Sequence, residues 1–292
     1  MLKTKSCPLV VSHRFLRALV VIIVNCLMVV QAQTPAVRQS EADNEYQTGA
    51  ILWTQSSAEY RALAYQTFAL AQLQLDAYLR SRHISGHGKI RQTQTSLKPP
   101  AVIVDIDETV LDNSRYQAEL VLRKQPYTPE SWTSWCERAE AGAVPGAVDF
   151  LKYATSRGVR VFYITNRRLT EKSGTIRNLQ QLGFPNVSEE TVVVREASAT
   201  SSKEARRAKV RERYNVALLI GDNLNDFNDD FAGKSIAERA SQVDRERKDF
   251  GSRFIVVPNP MYGDWENAIY ENKSRLKEDE KRSYRRAALR GL

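Results

Sequence analysis

The chain has 292 residues, of which 42% are hydrophobic and 26% are charged. This length and composition allow a large α/β domain with an added helical part, and they exclude a wholly disordered chain. The formal net charge is +9, from 43 Lys and Arg and 34 Asp and Glu. Residues 1–32 hold four of the basic residues and none of the acids, so the rest of the chain has a net charge of +5 (39 minus 34). That excess is too small for a dedicated nucleic-acid-binding protein.

The first 32 residues have the pattern of a secretory signal peptide. Basic residues come first, an apolar stretch runs from Ala18 to Val30, and Ala32 ends a cleavage pattern of short residues. Because the stretch is short for a membrane span, we favour cleavage after Ala32 over a retained anchor, with lipid attachment at Cys26 as a weaker alternative. We expect a secreted or periplasmic protein with a flexible leader over residues 33–45. Outer-membrane association stays open, and membrane contact would require such an N-terminal anchor.

Removal of residues 1–32 would leave Cys136 as the one cysteine, so no internal disulfide could form. A catalytic thiolate needs a partner that lowers its pKa, and no histidine lies near Cys136 in the sequence. We therefore interpret Cys136 as a buried structural residue.

Residues 46–98 are predicted to form a helical segment that ends in a linker. Apolar residues recur at steps of three and four, the pattern of one or two amphipathic helices. The members of this stripe are Tyr60, Leu63, Ala64, Phe68, Ala71, Leu75, Tyr78 and Leu79. The linker, residues 81–100, holds His83 and His87, and we discount a zinc site there because no third ligand is evident nearby.

Four short apolar runs, each followed by polar residues, predict the strands of a parallel sheet. The runs are Ala101–Val104, Val159–Ile164, Val216–Ile220 and Phe254–Val257. Continuous apolar character suits strands that are buried on both faces, and helical stretches between them predict a doubly wound α/β fold. We expect a core domain over residues 99–271 with its ligand site beyond the carboxyl ends of the strands.

The predicted helices between these strands cover Gly146–Arg157, Thr170–Leu182 and Ser202–Tyr214. Ser201 and Glu204 stand at the spacing of a capping box before the last of them. Residues 113–145, after the first strand, are expected to form a helical insert that makes a small α-helical domain or lid with the N-terminal helices.

Residues 272–292 are predicted to form a basic helix or tail. Between Asn272 and Arg290 there are eight Lys and Arg and three acids. We favour a solvated, charge-laced helix over a surface that contacts an anionic partner.

The first predicted strand ends in Asp105 and Asp107. Residues two apart on a strand point to the same side, so both carboxylates can face one pocket. Two acids together repel each other, and a cation such as Mg²⁺, which prefers oxygen ligands, relieves that repulsion. A strand-end aspartate that caps a turn is the structural alternative for either residue.

Polar residues at the other strand ends extend this set. Asp222 and Asp226 follow the third strand, Thr165 and Asn166 end the second, and Lys203 opens the helix before the third. Acids for a metal, a hydroxyl donor and a lysine together indicate a site that handles phosphate.

The order DxDET, TN, K and GDNxxDF is similar to the four motifs of the haloacid dehalogenase superfamily. The longer strings DIDETVLDNS, PGAVDFL, VFYITNRR, GDNLNDF and PNPMYGDWE resemble the class C acid phosphatases, subfamily IIIB, also called the lipoprotein e(P4) or 5′-nucleotidase group. The resemblance covers about residues 51 to 270 and implies a Rossmann-like fold of that superfamily. The chain lacks the lipobox of the lipoprotein members. This difference argues against a lipid anchor and does not affect the predicted chemistry.

The resemblance implies a role for each matching residue. Asp105 is the nucleophile, Asp107 is the general acid and then the general base, and Thr165 and Lys203 hold the phosphoryl oxygens. The implied Mg²⁺ ligands are Asp105, the backbone carbonyl of Asp107, Asp222, and Asp226 through water. Asn166 is implied to position groups at the phosphate.

The resemblance also points to Trp132 and Tyr262 as the two faces of a clamp on a base or an aromatic ring. Stacking on an aromatic side chain tolerates many bases, so a clamp would admit a broad range of nucleotides. Simple packing is the alternative for both residues, and it is the interpretation we favour for Trp135 and Trp265.

Together with the N-terminal pattern, the resemblance implies a secreted Mg²⁺-dependent acid phosphatase and 5′-nucleotidase that acts on small phosphomonoesters through an aspartyl-phosphate. Two alternatives remain: a narrower phosphatase or phosphotransferase for a sugar or cofactor phosphate, and a non-catalytic binding or storage protein on the same fold. The complete acid set argues against the non-catalytic reading. We expect no nucleic-acid partner, and the oligomeric state, a homodimer included, stays open.

Overall fold

The computed structural model describes residues 44–85, 98–197 and 199–292. The predicted signal peptide and residues 33–43 of the predicted leader lie outside these residues, as do most of the predicted linker, His87 and the side chain of His83. Within the described part of the chain, no helix has both the length and the apolar character needed to cross a bilayer.

The described residues form a mixed α/β fold around a parallel sheet of five strands, in the order β5-β4-β1-β6-β7. The bounds are β1 Pro100–Val104, β4 Arg160–Arg168, β5 Val192–Arg195, β6 Asn215–Gly221 and β7 Phe254–Val256. The four predicted strands and the doubly wound fold class are confirmed. The edge strand β5 was missed, because three valines between polar segments are too short a run to be recognised.

Helices cover both faces of the sheet. Their bounds are α1 Thr48–Ser56, α2 Ala58–Ser85, α3 Ser114–Leu122, α4 Pro129–Arg138, α5 Ala147–Ser156, α6 Lys172–Gln181, α7 Glu204–Arg213, α8 Ile236–Arg245, α9 Asp264–Ile269 and α10 Glu278–Ala288. Short 3₁₀ turns occupy Glu45–Gln47, Leu169–Glu171, Leu224–Asp226 and Asp229–Phe231. The segment after β1 contains α3 and α4, flanked by a small antiparallel pair, β2 Leu111–Asp112 and β3 Gly142–Ala143.

Helix α2 buries one stripe, as its sequence predicts. Its buried apolar members are Tyr60, Ala64, Phe68, Ala71, Leu75 and Leu79. The ring of Phe68 packs on Phe150 of α5 with centroids 5.9 Å apart. The prediction that Leu63 belongs to the stripe was wrong, because its side chain is exposed. Tyr60, Ala64 and Phe68 form the buried face of the helix, and Leu63 lies beside that face.

The predicted capping box at α7 was wrong. Lys203, not Ser201, is the N-cap residue, and the hydroxyl of Ser202 accepts the backbone N–H of Glu204 at 3.1 Å. The helix begins after Lys203, whose ammonium reaches two buried aspartates, Asp105 and Asp226. Tertiary ion pairs therefore fix this helix start.

Helix α10 carries three acids, Glu278, Asp279 and Glu280, in its first turn and two arginines, Arg285 and Arg286, in its last. This order complements the helix dipole. None of its residues is buried, so polar and ring contacts hold it to the rest of the chain. The predicted charge-laced helix over the basic C-terminal residues is present.

Candidate active site

The carboxyl ends of neighbouring strands bring the predicted acids to one edge of the sheet. Asp105 follows β1, and its backbone N–H donates to the carbonyl of Ile220 in β6 at 2.9 Å. Asp222 follows β6, and Asn259, after β7, donates its amide N–H to Asp222 Oδ2 at 2.8 Å. Parallel pairing thus aligns ends that are more than a hundred residues apart in the chain.

Asp105 lies at the centre of the cluster with an exposed fraction of 8%, and Lys203 beside it has 5%. The ammonium of Lys203 contacts Asp105 Oδ1 and lies 2.7 Å from Asp226 Oδ1. A buried ammonium between two carboxylates offsets part of their repulsion, although the charges stay unbalanced once Asp222 is counted.

The site raises the pKa of two of its acids, Asp105 and Asp222. Burial raises the pKa of the Asp105 carboxyl well above its ordinary value; the charge of Lys203 opposes this, and Asp226 and Asp222 add to it. Burial, with the charge of Asp226, raises the pKa of Asp222 to about 7. Burial lowers the pKa of Lys203, but the charges of Asp105 and Asp226 outweigh it and the net shift is upward. The cluster therefore holds more negative charge than the protein neutralises by itself.

The residues present fit a divalent cation. One carboxylate oxygen from each of Asp105, Asp222 and Asp226 can be chosen so that all lie within 4.8 Å of one another. Thr109 orients Asp222 by donating its hydroxyl to Oδ1 at 3.0 Å. A Cβ on Gly221 would overlap the Asp226 carboxylate, so only glycine leaves room for this acid. An all-oxygen set of this kind suits a hard cation.

Asp107 is held by a different set of partners. Arg167 donates Nη2–H to Asp107 Oδ1 at 2.7 Å and Nε–H at 3.0 Å. Asn113 donates to the same oxygen at 2.9 Å, and the hydroxyl of Thr165 lies 3.4 Å from Oδ2. These contacts fix the orientation of the Asp107 side chain, which is not part of the three-acid cluster.

The insert after β1 is tied to this second group of residues. Asn113, fully buried, accepts the indole N–H of Trp135 at 2.8 Å, and its backbone N–H donates to Glu108 Oε1 at 2.9 Å. Glu108 has a positive φ of 56° in the tight turn that follows Asp107. The turn and helix α4 thus share one hydrogen-bonded hub at Asn113.

A cavity of about 670 Å³ opens above the acids. Its inner end is lined by Asp105, Asp107, Lys203, Asp222 and Asp226, and its sides include Asn166, Arg167, Tyr127, Trp132 and Tyr262. Thr165 does not line it: the residue is fully buried, with its hydroxyl toward Asp107. Asn166 is exposed, and its side-chain oxygen accepts from Arg206 Nη2 at 2.7 Å.

The aromatic residues of this region have distinct surroundings. Trp132 is 8% exposed; Arg167 covers its ring at 5.4 Å, and Tyr116 contacts it edge-on with centroids 5.1 Å apart. Tyr127, which was not a predicted site residue, is 57% exposed beside Trp132. Trp132 therefore offers little free surface, and Tyr127 and Tyr262 supply more of the accessible ring area.

Two further tryptophans and Cys136 differ in how deeply they are buried. Trp135 is buried, as expected for a packing residue, whereas Trp265 is half-exposed at the surface. Cys136 is buried, and burial raises the pKa of its thiol to about 12. The prediction that Cys136 is buried is confirmed.

Sequence reasoning missed the partners of the acids. Arg167, Asn113 and Asn259 touch Asp107 or Asp222, yet none was a predicted site residue. Arg167 lies near the carboxyl end of β4, Asn259 lies three residues after β7, and Asn113 lies within the DIDETVLDNS string. Their position was the available signal, but which acid each one contacts depends on the tertiary structure.

Comparisons with known proteins place this geometry in a family. The profile described as "HAD superfamily, subfamily IIIB (Acid phosphatase)" matches residues 23–265. The crystal structure of the class C acid phosphatase from Bacillus anthracis with tungstate bound is 39% identical, with a TM-score of 0.78, and the match covers 85% of this chain and 98% of that one. The profile and the similar structure agree on the family and on the fold.

Two curated plant proteins are more distant. Acid phosphatase 1 of Solanum lycopersicum is 25% identical over 166 residues, covering 55% of this chain and 57% of that protein. The stem 28 kDa glycoprotein of Glycine max is 23% identical over 193 residues, covering 64% and 65%. The chain therefore matches less than two thirds of the length of either.

Proposed function

The chain belongs to subfamily IIIB of the haloacid dehalogenase superfamily, the acid phosphatases, and from that premise we propose that it is a Mg²⁺-dependent acid phosphatase with 5′-nucleotidase activity. The observation that carries the proposal is the position of Asp105: buried at the cavity's inner end, against Lys203 and two further acids. A phosphoryl group that enters this cavity meets a carboxylate nucleophile and the charges needed to accept it.

The proposed reaction has two steps. In the first, a carboxylate oxygen of Asp105 forms a bond to phosphorus as the ester P–O bond breaks, and Asp107 gives its proton to the leaving alcohol. In the second, Asp107 takes a proton from water, the water oxygen bonds to phosphorus, and the acyl-phosphate bond breaks to free Asp105 and phosphate. Splitting the hydrolysis in this way makes each step easier than direct attack by water.

Charge decides whether a carboxylate can approach a phosphomonoester. The ammonium of Lys203, 2.7 Å from Asp226 and in contact with Asp105, is placed to bind a phosphoryl oxygen. We assign Asp105, Asp222, Asp226 and the backbone carbonyl of Asp107 to hold Mg²⁺, which when bound offsets the charge on the phosphoryl oxygens. The donor set contains only oxygen atoms, and this supports Mg²⁺ over a softer ion.

The hydrogen bonds to Asp107 orient its carboxyl group for the proposed role. Arg167 and Asn113 fix the carboxyl group at the cavity, where a leaving oxygen can reach it. Thr165 is proposed to bind a phosphoryl oxygen once its hydroxyl turns from Asp107, and Asn166 is proposed to position groups at the phosphate. Because Asp107 must carry a proton in the first step, an acidic working pH supports turnover.

The leaving-group side of the cavity supports nucleotides as substrates. Tyr262 and Trp132 line it, and the exposed ring of Tyr127 adds a third aromatic surface. Aromatic stacking contributes about 1–3 kcal/mol per base and accepts any base. We propose export of the protein, as its N-terminal pattern suggests, so these phosphomonoesters would be met outside the cytoplasm.

The test is phosphate release from purified protein at pH 5 and pH 7.5, with 5 mM MgCl₂ or with EDTA. Substrates are AMP, glycerol 3-phosphate, glucose 6-phosphate and pyridoxal 5′-phosphate. We expect broad release with Mg²⁺, highest for AMP at pH 5. Turnover of the sugar or cofactor phosphate alone would favour the narrower enzyme, and no turnover of any substrate would overturn the proposal.

A further inference from the structure

The outer wall of the cavity is built from two ends of the described chain. Tyr46 comes from the 3₁₀ turn before α1, and Glu278 and Lys281 come from α10. Helix α10 buries none of its own residues, so it has no apolar face to fix its position. Whatever holds α10 against Tyr46 therefore also sets the shape of this wall.

Arg285 makes that connection. Its guanidinium lies over the ring of Tyr46 with its carbon 3.7 Å from the ring centroid. Nη2 lies 2.6 Å from Glu278 Oε1, and Nη1 donates to the hydroxyl of Tyr270 at 2.8 Å. The side chain is only 18% exposed, so water competes weakly for these contacts.

A second layer of hydrogen bonds closes the arrangement. The hydroxyls of Tyr46 and Tyr270 both donate to Glu266 Oε1, at 2.8 and 2.7 Å. Glu266 lines the cavity as well. Arg285 thus reaches three wall residues, Tyr46 and Glu278 directly and Glu266 through Tyr270, and it does so without lining the cavity itself.

We infer that Arg285 is a positioning residue that holds α10 and Tyr46 together as the outer wall of the cavity, so that the C-terminal helix determines which leaving groups bind. The inference rests on the proposed function, because it needs the phosphoryl group at Asp105 and the leaving group toward the wall. A bulky leaving group would contact this wall, whereas a short aliphatic one would end before it. The basic C-terminal helix then contributes to the choice of leaving group at the site.

The experiment measures kcat and KM of the full chain with Mg²⁺ for AMP and for glycerol 3-phosphate. Arg285→Ala should raise the KM for AMP by roughly 5- to 30-fold, the factor expected from losing one or two modest contacts. Its kcat, and both constants for glycerol 3-phosphate, should stay within about twofold, because the acids and Lys203 are untouched. Arg285→Lys keeps the charge but loses the planar stacking on Tyr46, so it should fall between Arg285→Ala and the unmodified chain.

Arg286→Ala is the matched control. Arg286 is the next residue on the same helix and is exposed, so its removal changes the charge equally but leaves the wall intact. Melting curves of each variant report folding. If Arg285→Ala does not fold, a chain that ends after residue 276, which removes α10, takes its place with the same expected selective rise in KM.

The outcomes separate the two proposals. An unmodified chain that hydrolyses neither substrate would sink the proposed function. An active chain in which Arg285→Ala changes neither KM, or changes both substrates equally, would sink the assignment of Arg285 alone. An equal rise in the KM for AMP in Arg286→Ala would show that the effect comes from the loss of any positive charge on α10. That result would also overturn the assignment of Arg285.

Discussion

Arg167 binds Asp107 through two nitrogens, with Nη2 2.7 Å from Oδ1, and its guanidinium also covers the ring of Trp132 at 5.4 Å. One buried side chain therefore contacts both the proposed proton donor and an aromatic residue of the leaving-group side. We expect substitutions of Asp107 and Trp132 to have non-additive effects, because both residues contact the same buried side chain.

Arg167→Lys should lower kcat by about a hundredfold, because lysine keeps the charge but loses the two-nitrogen geometry that fixes Asp107. Steady-state kinetics with glycerol 3-phosphate provide the measurement, since this substrate has no ring to stack near Trp132. Arg253→Lys, at a position whose side chain is 66% exposed and which pairs with nearby Asp249, serves as the control. An unchanged kcat in Arg167→Lys would show that Asp107 needs no such orientation.

Asp105→Asn should reduce turnover by about 10⁴-fold or more while the fold persists, since the amide cannot form the acyl-phosphate. Phosphate release and circular dichroism together distinguish lost chemistry from lost structure. Asp230→Asn, an exposed acid with no role in the cluster, should retain full activity. Substantial residual turnover in Asp105→Asn would remove this residue from the nucleophile position.

EDTA should abolish activity and added Mg²⁺ should restore it, because Asp105, Asp222 and Asp226 hold uncompensated charge without a cation. Mg²⁺ should also raise the melting temperature of the unmodified chain, since ligands that bind only the folded state stabilise it. Asp222→Asn should weaken both effects. Activity that persists in EDTA would contradict the metal assignment.

Tyr262→Ala should raise the KM for AMP about tenfold with little change for glycerol 3-phosphate, because only the first substrate has a base to stack. Trp132→Ala should show the same preference and also lose about 3–5 kcal/mol of stability, since Trp132 is almost fully buried against Tyr116. Trp265→Ala is a control outside the cavity. Equal losses on both substrates would mean that no ring clamp exists.

Cys136 should resist thiol reagents in the folded protein. Burial raises the pKa of its thiol to about 12, so at pH 8 only about one molecule in 10⁴ carries the reactive thiolate. Labelling with iodoacetamide, followed by peptide mass spectrometry, should detect modification at Cys136 only after denaturation. Rapid labelling of the folded chain would show that α4 opens readily.

The sequence alone predicted the fold class, four of the described strands and the acids at their carboxyl ends. Apolar runs buried on both faces are a local signal, and parallel pairing then brings Asp105 and Asp222 to one edge whatever lies between them. The sequence did not predict the short strand β5, because four residues are too few to give a periodic pattern. It also misplaced the start of α7, because a tertiary ion pair at Lys203 leaves no pattern in the sequence.

Only the tertiary structure decided which residues serve those acids. Asp107 meets Arg167 across sixty positions of sequence, and Tyr46 meets Arg285 from the opposite end of the described chain. Such contacts depend on how helices and strands pack against one another. Residue types and their spacing in the sequence do not predict that relative orientation. The strand ends that carry the acids could therefore be predicted from local patterns, whereas the shape of the cavity and the orientation of Asp107, the proposed proton donor, required the assembled fold.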